Sequence, residues 1–371
     1  LYEIAGVITN VSAGWVAARF GLTSTLYAGL SLQVVALLAL TQLDPAWSMT
    51  ASVVFVMLVQ GLSGVAKDLA KMSSKSAVKI LAPATGGGLF RWVAILTGSK
   101  NAVKGSGFLL GAVLLAVFGF VPSVLTMAAA LFVILIGVVI YMPKGLPVGR
   151  KDAKFSEVFS KDRNINWLSA ARLFLFGARD VWFVVGIPIY FYAVLSDGTT
   201  ESNRMAFFMI GTFMAVWTIL YGIVQGSAPR ILKAASRSDP EILALAKCWV
   251  GLLIIVPAFL AGLVWLAPEP SYVLTATIVL GLLIFGGIFA INSALHSFLI
   301  LSLTDAKRVT MDVGFYYMAN AAGRLVGTVL SGFTYQVGGL SLCLATAAVM
   351  IGLSWLGTSQ LKAPKADKVA T

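Results

Sequence analysis

Apolar runs about 20 residues long, each the length of a bilayer-crossing helix, recur along this chain with only short breaks between them. They fall near 1–18, 25–42, 48–66, 89–118, 122–142, 166–195, 205–228, 242–266, 271–303, 312–336 and 338–359, eleven in all. Those at 89–118, 166–195 and 271–303 are long enough to tilt or bend. Charged residues are 11% and apolar residues 59% of the 371 positions, whereas a soluble domain carries roughly a quarter charged and slightly under half apolar. No aqueous core of this length hides so much apolar surface; lipid solvates it directly. Spacing and composition together predict an all-α polytopic membrane protein.

The breaks alternate in charge. One set holds Arg19, the segment from Lys67 to Arg91, the stretch from Lys144 to Arg163, Arg230 with Lys233 and Arg237, Lys307 with Arg308, and Lys362, Lys365 and Lys368. The other set, around Asp44, Pro122, Asp197, Glu269 and Gly338, has Arg204 as its only basic residue. Basic loops stay cytoplasmic, so the first run enters from outside and the C-terminus is expected inside a cell membrane. The net charge of +12 is thus topology, not a nucleic-acid footprint. Cys248 and Cys343 both sit in apolar runs and the single histidine has no metal-ligand spacing, so no disulfide framework, metal or cofactor is expected. Residue 1 is Leu, inside an apolar run, without initiator Met or signal pattern. The reading is a chain whose first membrane helix is missing.

The longest polar break, 143–165, leaves five runs before it and six after. With one span restored upstream this becomes two six-helix bundles around a central cavity. The expected division is an N-terminal bundle at 1–142, a cytoplasmic loop at 143–165, a C-terminal bundle at 166–359 and a cytoplasmic tail at 360–371. A weak internal repeat agrees: NAVKGSGFLLG at 101–111 resembles NAAGRLVG at 320–327.

Apart from Arg91 and Lys247 near run ends, five cations fall inside the runs: Lys100, Lys104, Arg172, Arg179 and Arg324. Each costs about 2.5–3.5 kcal/mol to insert at a helix centre. Counted along the helical rise from the cytoplasmic end, Lys104, Arg179 and Arg324 lie roughly 18–22 Å deep, near mid-bilayer. Lys100 shares a face with Lys104, Arg172 with Arg179, and Tyr317, Asn320 and Arg324 form a third stripe. The acids within runs are Glu3 and Asp180, with Asp312 near an entrance, so the interior is net positive. The simplest balancing partner is a multiply charged anion such as a phosphate ester, whose oxygens match the guanidinium fork. Competing readings stand beside this one: Asp180 as a structural partner of Arg179, Arg172 snorkelling to the interface, and His296 as a packing residue. Glu3, Asp180 and His296 are the candidates for proton coupling. Lys67, Lys71, Lys75 and Lys79 recur every four residues, either as an electrostatic funnel for a cytoplasmic anion or as a helix end on anionic headgroups.

GWVAARFGLTSTL at 14–26 resembles the signature loop of the major facilitator superfamily, with Ala18 where the usual acid stands. GVAKDLAKMSSKSAVK at 64–79, RWVAILTGSKNAVKGSGF at 91–108, LSAARLFLFGARDVWFVV at 168–185, YGIVQGSAPR at 221–230 and DVGFYYMANAAGRLVGTVLSG at 312–332 resemble the ArsJ-type organoarsenical efflux permeases of that superfamily. No nucleophile–base pair, phosphate loop or metal constellation in the sequence points to an enzyme, and a monomer is expected. The resemblance implies a secondary transporter. Its substrate would be 1-arseno-3-phosphoglycerate, made by a glyceraldehyde-3-phosphate dehydrogenase that takes arsenate in place of phosphate, and its export would confer arsenate resistance. On this reading Arg179 and Arg324 grip one anionic end and Lys104 with Lys100 the other. A phosphate-ester or organic-anion exchanger is the first alternative, and a non-transporting receptor or lipid-binding scaffold the second.

Overall fold

A computed structural model describes residues 2–44, 46–82, 88–142, 146, 149–267, 269 and 271–362. Lys144, Lys365 and Lys368 lie outside the described residues, as does the side chain of Glu3. Helices α1 (Tyr2–Phe20), α2 (Leu22–Leu40), α3 (Met49–Leu81), α4 (Gly88–Phe118) and α5 (Phe120–Tyr141) precede the central loop. After it come α6 (Arg163–Leu195), α7 (Thr200–Ile231), α8 (Asp239–Leu266) and α9 (Tyr272–Leu303). The last helical stretch, Val309–Ser359, breaks at Gly338 and Gly339 into α10 (309–337) and α11 (340–359). Among the described residues, eleven long helices thus stand where eleven apolar runs were expected.

The ends of the helices have local causes. Asp162 caps α6 by accepting from the backbone N–H groups of Asn164 (2.8 Å) and Ile165 (3.2 Å), and Thr199 caps α7 through Ser202 N–H. Ahead of α8 the Glu241 carboxylate accepts from Ser238 N–H at 2.7 Å. Gly119 (φ 75°) and Gly339 (φ 60°) make the tight reversals between α4 and α5 and between α10 and α11, a left-handed backbone that other residues resist. Inside α6, Trp182–Gly186 forms a π-helical turn, and the N–H groups of Val185 and Gly186 donate to Ser331 Oγ at 3.2 and 3.3 Å.

One reading needs extension. The apolar run at 48–66 ends at the first lysine, but α3 continues to Leu81, so Lys67 to Lys79 ride on the same helix as the span. Hydropathy stops where charge begins, whereas hydrogen bonding and burial against neighbours carry the helix on: Ala66, Asp68, Met72 and Lys75 are all buried.

The chain forms two compact units, each described by itself. The first comprises Leu1–Ala82, Gly107–Lys161 and Thr304–Met318. In it α2 lies so close along α3 that a Cβ on Gly29 would meet Ala66 O and Ala70 N at 2.9 Å. The second comprises Pro83–Ser106, Asp162–Leu303 and Ala319–Thr371. Its core is aromatic: Trp182 packs edge-on against Phe285 (5.2 Å) and Trp217 (5.7 Å), and Trp217 Nε1 donates to Leu282 O at 2.9 Å. The outward faces are apolar too, with Phe207 64%, Phe259 61% and Val133 68% exposed, surface that acyl chains cover.

Candidate functional site

In the second unit a polar path runs through five helices whose surroundings are apolar. Asn101 on α4 donates to Gln225 on α7 at 2.6 Å. Gln225 and Tyr221 both donate to Ser293 Oγ on α9 at 2.9 Å. From α6, Arg172 Nη1 reaches Ser293 Oγ at 3.3 Å while its Nε donates to Asn320 on α10 at 2.9 Å. Arg172 is 2% exposed, and its guanidinium lies 3.7 Å from the centre of the Phe176 ring. It is therefore buried in the helix bundle, which replaces the snorkelling alternative.

Two helical turns along α6 lies a second group. Asp180 is buried and holds two arginines, one on each oxygen: Oδ1 accepts from Arg179 Nε at 2.6 Å and Oδ2 from Arg324 Nε at 3.1 Å. The Arg179 guanidinium also faces Phe176 (5.1 Å) and Phe289 (5.8 Å), so Phe176 carries a guanidinium from each side of the site. Among the described residues, these contacts bring Arg172, Arg179 and Arg324 together with the carboxylate of Asp180, a formal +2 for these four groups. Burial of that charge in an apolar bundle is costly unless an anion answers it. A guanidinium fork fixed by a carboxylate and aromatic rings presents the geometry that also suits a phosphate or arsenate.

His296 on α9 is fully buried one turn beyond Ser293, and neither ring nitrogen has a hydrogen-bond partner among the described residues. Lys100 and Lys104 occupy an exposed stretch of α4. The three-residue stripe on α10 divides its contacts: Asn320 meets Arg172 and Arg324 meets Asp180, while Tyr317 belongs to a different cluster.

That cluster lies in the first unit. Asp68 on α3 accepts from Thr9 Oγ1 (2.5 Å) and Asn10 Nδ2 (3.2 Å) on α1 and from Lys71 Nζ (2.7 Å). Lys71 also donates to Asn10 Oδ1, and its ammonium stands 4.6 Å from the centre of the Tyr317 ring. Lys75, buried, donates to the Tyr317 hydroxyl and lies 4.8 Å from the same ring. Lys67 remains exposed at the edge of the group. Two ammonium groups against one carboxylate leave a formal +1.

Asp68 escaped sequence reading because the run on α3 ends before it, and Thr9 and Asn10 because they are uncharged residues inside the first run. The spacing of Asp68 three residues ahead of Lys71, one turn, was the available signal. Gln225, Ser293, Tyr221 and Asn101 escaped because only charges were weighed within the apolar runs.

At the level of sequence the chain matches no protein-family model and no curated protein. Solved structures resemble it in fold. A bacterial homologue of the iron transporter ferroportin, in an outward-facing state, superposes with a TM-score of 0.77 at 13% identity, over 97% of this chain and 88% of that one. FucP, a major facilitator superfamily transporter in the outward conformation, does so with 0.69 at 13% identity, over 96% and 88%. The human organic anion transporter MFSD10 (TETRAN) gives 0.68 at 14% identity, over 96% and 82%. The chain has the major facilitator fold and is an all-α, multi-pass membrane protein.

Proposed function

We propose that this chain is a secondary transporter, not an enzyme, and that it moves a multiply charged anion by alternating access. The observation that carries this reading is the pair of arginines on Asp180 beside a third, Arg172, held among aromatic rings with a formal +2. Asp180 acts as a resident anion: it keeps Arg179 and Arg324 paired when the site is vacant and yields them to an incoming oxyanion. Protonation of Asp180, or of His296 one turn from the Ser293 that Arg172 contacts, is then the means of coupling transport to protons, with Glu3 a further candidate. The resemblance of its segments to ArsJ-type permeases supports 1-arseno-3-phosphoglycerate as the substrate, exported to give arsenate resistance and supplied by a glyceraldehyde-3-phosphate dehydrogenase. Lys100 and Lys104 take the anionic end that the arginines do not. Lys67, Lys71 and Lys75 draw the anion in from the cytoplasm. On this reading the protein lies in the cell membrane with its C-terminus cytoplasmic, in keeping with the basic breaks, and works as a monomer of bundles 1–142 and 166–359.

The test is uptake into everted membrane vesicles, with the arseno-ester generated in the assay by the dehydrogenase and arsenate. Accumulation of arsenic in wild-type vesicles and its loss with Arg324→Ala is the expected result. Accumulation of simple phosphate esters without the arseno-ester would move the substrate to the broader phosphate-ester or organic-anion class, which the same cation cluster supports. Arsenate tolerance unchanged in cells carrying Arg324→Ala and Arg179→Ala would remove transport from the reading.

A further inference from the structure

Away from the buried arginines, the second unit holds a groove of different character. Helices α4 and α7 cross backbone on backbone: a Cβ on Gly98 would come within 2.4 Å of Gly226 N, and one on Gly222 within 2.4 Å of Ala102 N. With no side chains on its floor, the crossing leaves an open cavity of about 710 Å³. One end is basic, formed by Arg91, Arg230 and Lys233, with the hydroxyls of Ser227 and Ser236 beside them. Among the described residues that line it there is no carboxylate. Further along, the walls are Ile95 and Ile223, 40% and 53% exposed, and their neighbours Trp92 and Ile231 are about half exposed as well.

The lining is therefore graded, and its length is informative. From Arg91 to Ala102 the rise along α4 is about 16 Å, roughly half the thickness of a bilayer's hydrocarbon core. A groove that is cationic at the membrane surface and apolar for one leaflet has the shape and polarity of a single phospholipid. The turn after α7 supports its basic end. Lys233 is the one non-glycine residue with a left-handed backbone among the described residues (φ 51°, ψ 43°). Ser236 Oγ, which donates to Lys233 O at 2.9 Å, and Arg237 Nε, which donates to Leu232 O at 2.8 Å, hold that turn. Lysine adopts this conformation only against a cost, and here it is placed on the groove.

We propose that this groove is a binding site for an anionic phospholipid of the leaflet on the side of the basic loops. Its phosphate lies on Arg91, Arg230 and Lys233, and one acyl chain runs along Ile95 and Ile223. Such a lipid is part of the folded protein in the membrane and is independent of the anion carried in the arginine cluster. The basic end alone would also suit a soluble phosphate, so the experiment separates the two sources.

The experiment is native mass spectrometry and thermal unfolding of the full chain in detergent, titrated with phosphatidylglycerol, phosphatidylcholine or inorganic phosphate. Wild type should retain phosphatidylglycerol selectively and be stabilised by it, with no comparable effect of phosphatidylcholine or inorganic phosphate. The triple variant Arg91→Gln, Arg230→Gln, Lys233→Gln should bind it about a hundredfold more weakly. Ser99→Trp, which fills the groove from an exposed position and removes no charge, should also lose it, and it decides the matter if the triple variant does not fold. The control Lys151→Gln, Lys154→Gln should bind as wild type does. Stabilisation by inorganic phosphate equal to that by phosphatidylglycerol would overturn the lipid assignment in favour of a soluble ligand. Undiminished phosphatidylglycerol binding in Ser99→Trp, or equal loss in the control, would overturn the site itself.

Discussion

The two buried charge clusters use different cations, and the contrast separates two jobs. In the second unit the cations are arginines, two of them fixed by more than one partner: Arg172 by Asn320, Ser293 and the Phe176 ring, Arg179 by Asp180 and the same ring. In the first unit they are lysines that share one ring, Tyr317, and of the two Lys71 also meets the carboxylate of Asp68. A guanidinium held in one plane can select an anion by geometry, whereas an ammonium on a flexible stem acts as a point charge. The arginine cluster thus suits recognition, and the lysine cluster suits passage or the joining of α1, α3 and α10.

The contrast breaks if the two cation types are interchangeable. Arg172→Lys and Arg324→Lys keep the charge and lose the fork, and each should cost about 2–3 kcal/mol of substrate affinity, on the order of a hundredfold in vesicle uptake. Lys71→Arg should lower uptake by less than about threefold, because a point charge tolerates another cation. Equal losses in both clusters would dissolve the distinction.

Next in size is the carboxylate of each cluster. Asp180→Ala removes the buried carboxylate shared by the half-buried Arg179 and Arg324. Because water reaches these two cations in part, the cost should fall below the ~3–5 kcal/mol of a fully buried pair. Thermal unfolding in detergent measures it, and a saturating anionic substrate should recover part of the loss. Asp68→Ala should destabilise to a similar degree without recovery by substrate. A smaller effect sharpens the lysine side alone: Tyr317→Phe keeps the ring over Lys71 and Lys75 but removes the acceptor for Lys75, at about 1–3 kcal/mol in the same assay.

The smallest expected effect lies outside both clusters. In the loop before α7, Asp197 accepts from Ser202 Oγ and from the N–H and hydroxyl of Thr199 (2.9 and 2.8 Å), which lower its pKa from 3.8 to about 2. A depressed carboxyl stabilises above its ordinary pKa and loses that contribution as pH falls through the lowered one. The difference in amide protection at 196–203 between wild type and Asp197→Asn, read by hydrogen exchange, should be constant above pH 3.8 and vanish as pH falls through about 2. A difference that persists at lower pH would assign the effect to the amide itself.

Much of this architecture is legible in the residues. Apolar length announces a span whatever its partners, so ten of the eleven helices follow the expected runs closely, and the break at Gly338 stands where the sequence places it. The α4–α5 reversal falls at Gly119 and not at Pro122, because a left-handed residue is needed to turn the chain while proline is welcome in a first helical turn. The continuation of α3 was hidden, since Asp68 and four lysines look like a loop until tertiary burial is known. At the site, the cost of charge in lipid singled out Arg172, Arg179 and Arg324. Which carboxylate they share, and which amide and hydroxyl groups support them, depends on helix rotation, and no spacing within one helix reveals it.

The π-helical turn in α6 has a consequence of its own. A wide turn houses one residue more than an α-helix of equal rise, so everything after Gly186 is rotated by about 100° relative to an unbroken helix. Arg172, Arg179 and Asp180 precede that offset, whereas Tyr190 and Phe191 follow it and lie in the aromatic core. Leu175, Phe176 and Val181 before the turn and Tyr190 and Phe191 after it thereby meet one core despite the rotation between them. Deleting a single residue between Trp182 and Gly186 would remove the offset and force one set or the other out of phase.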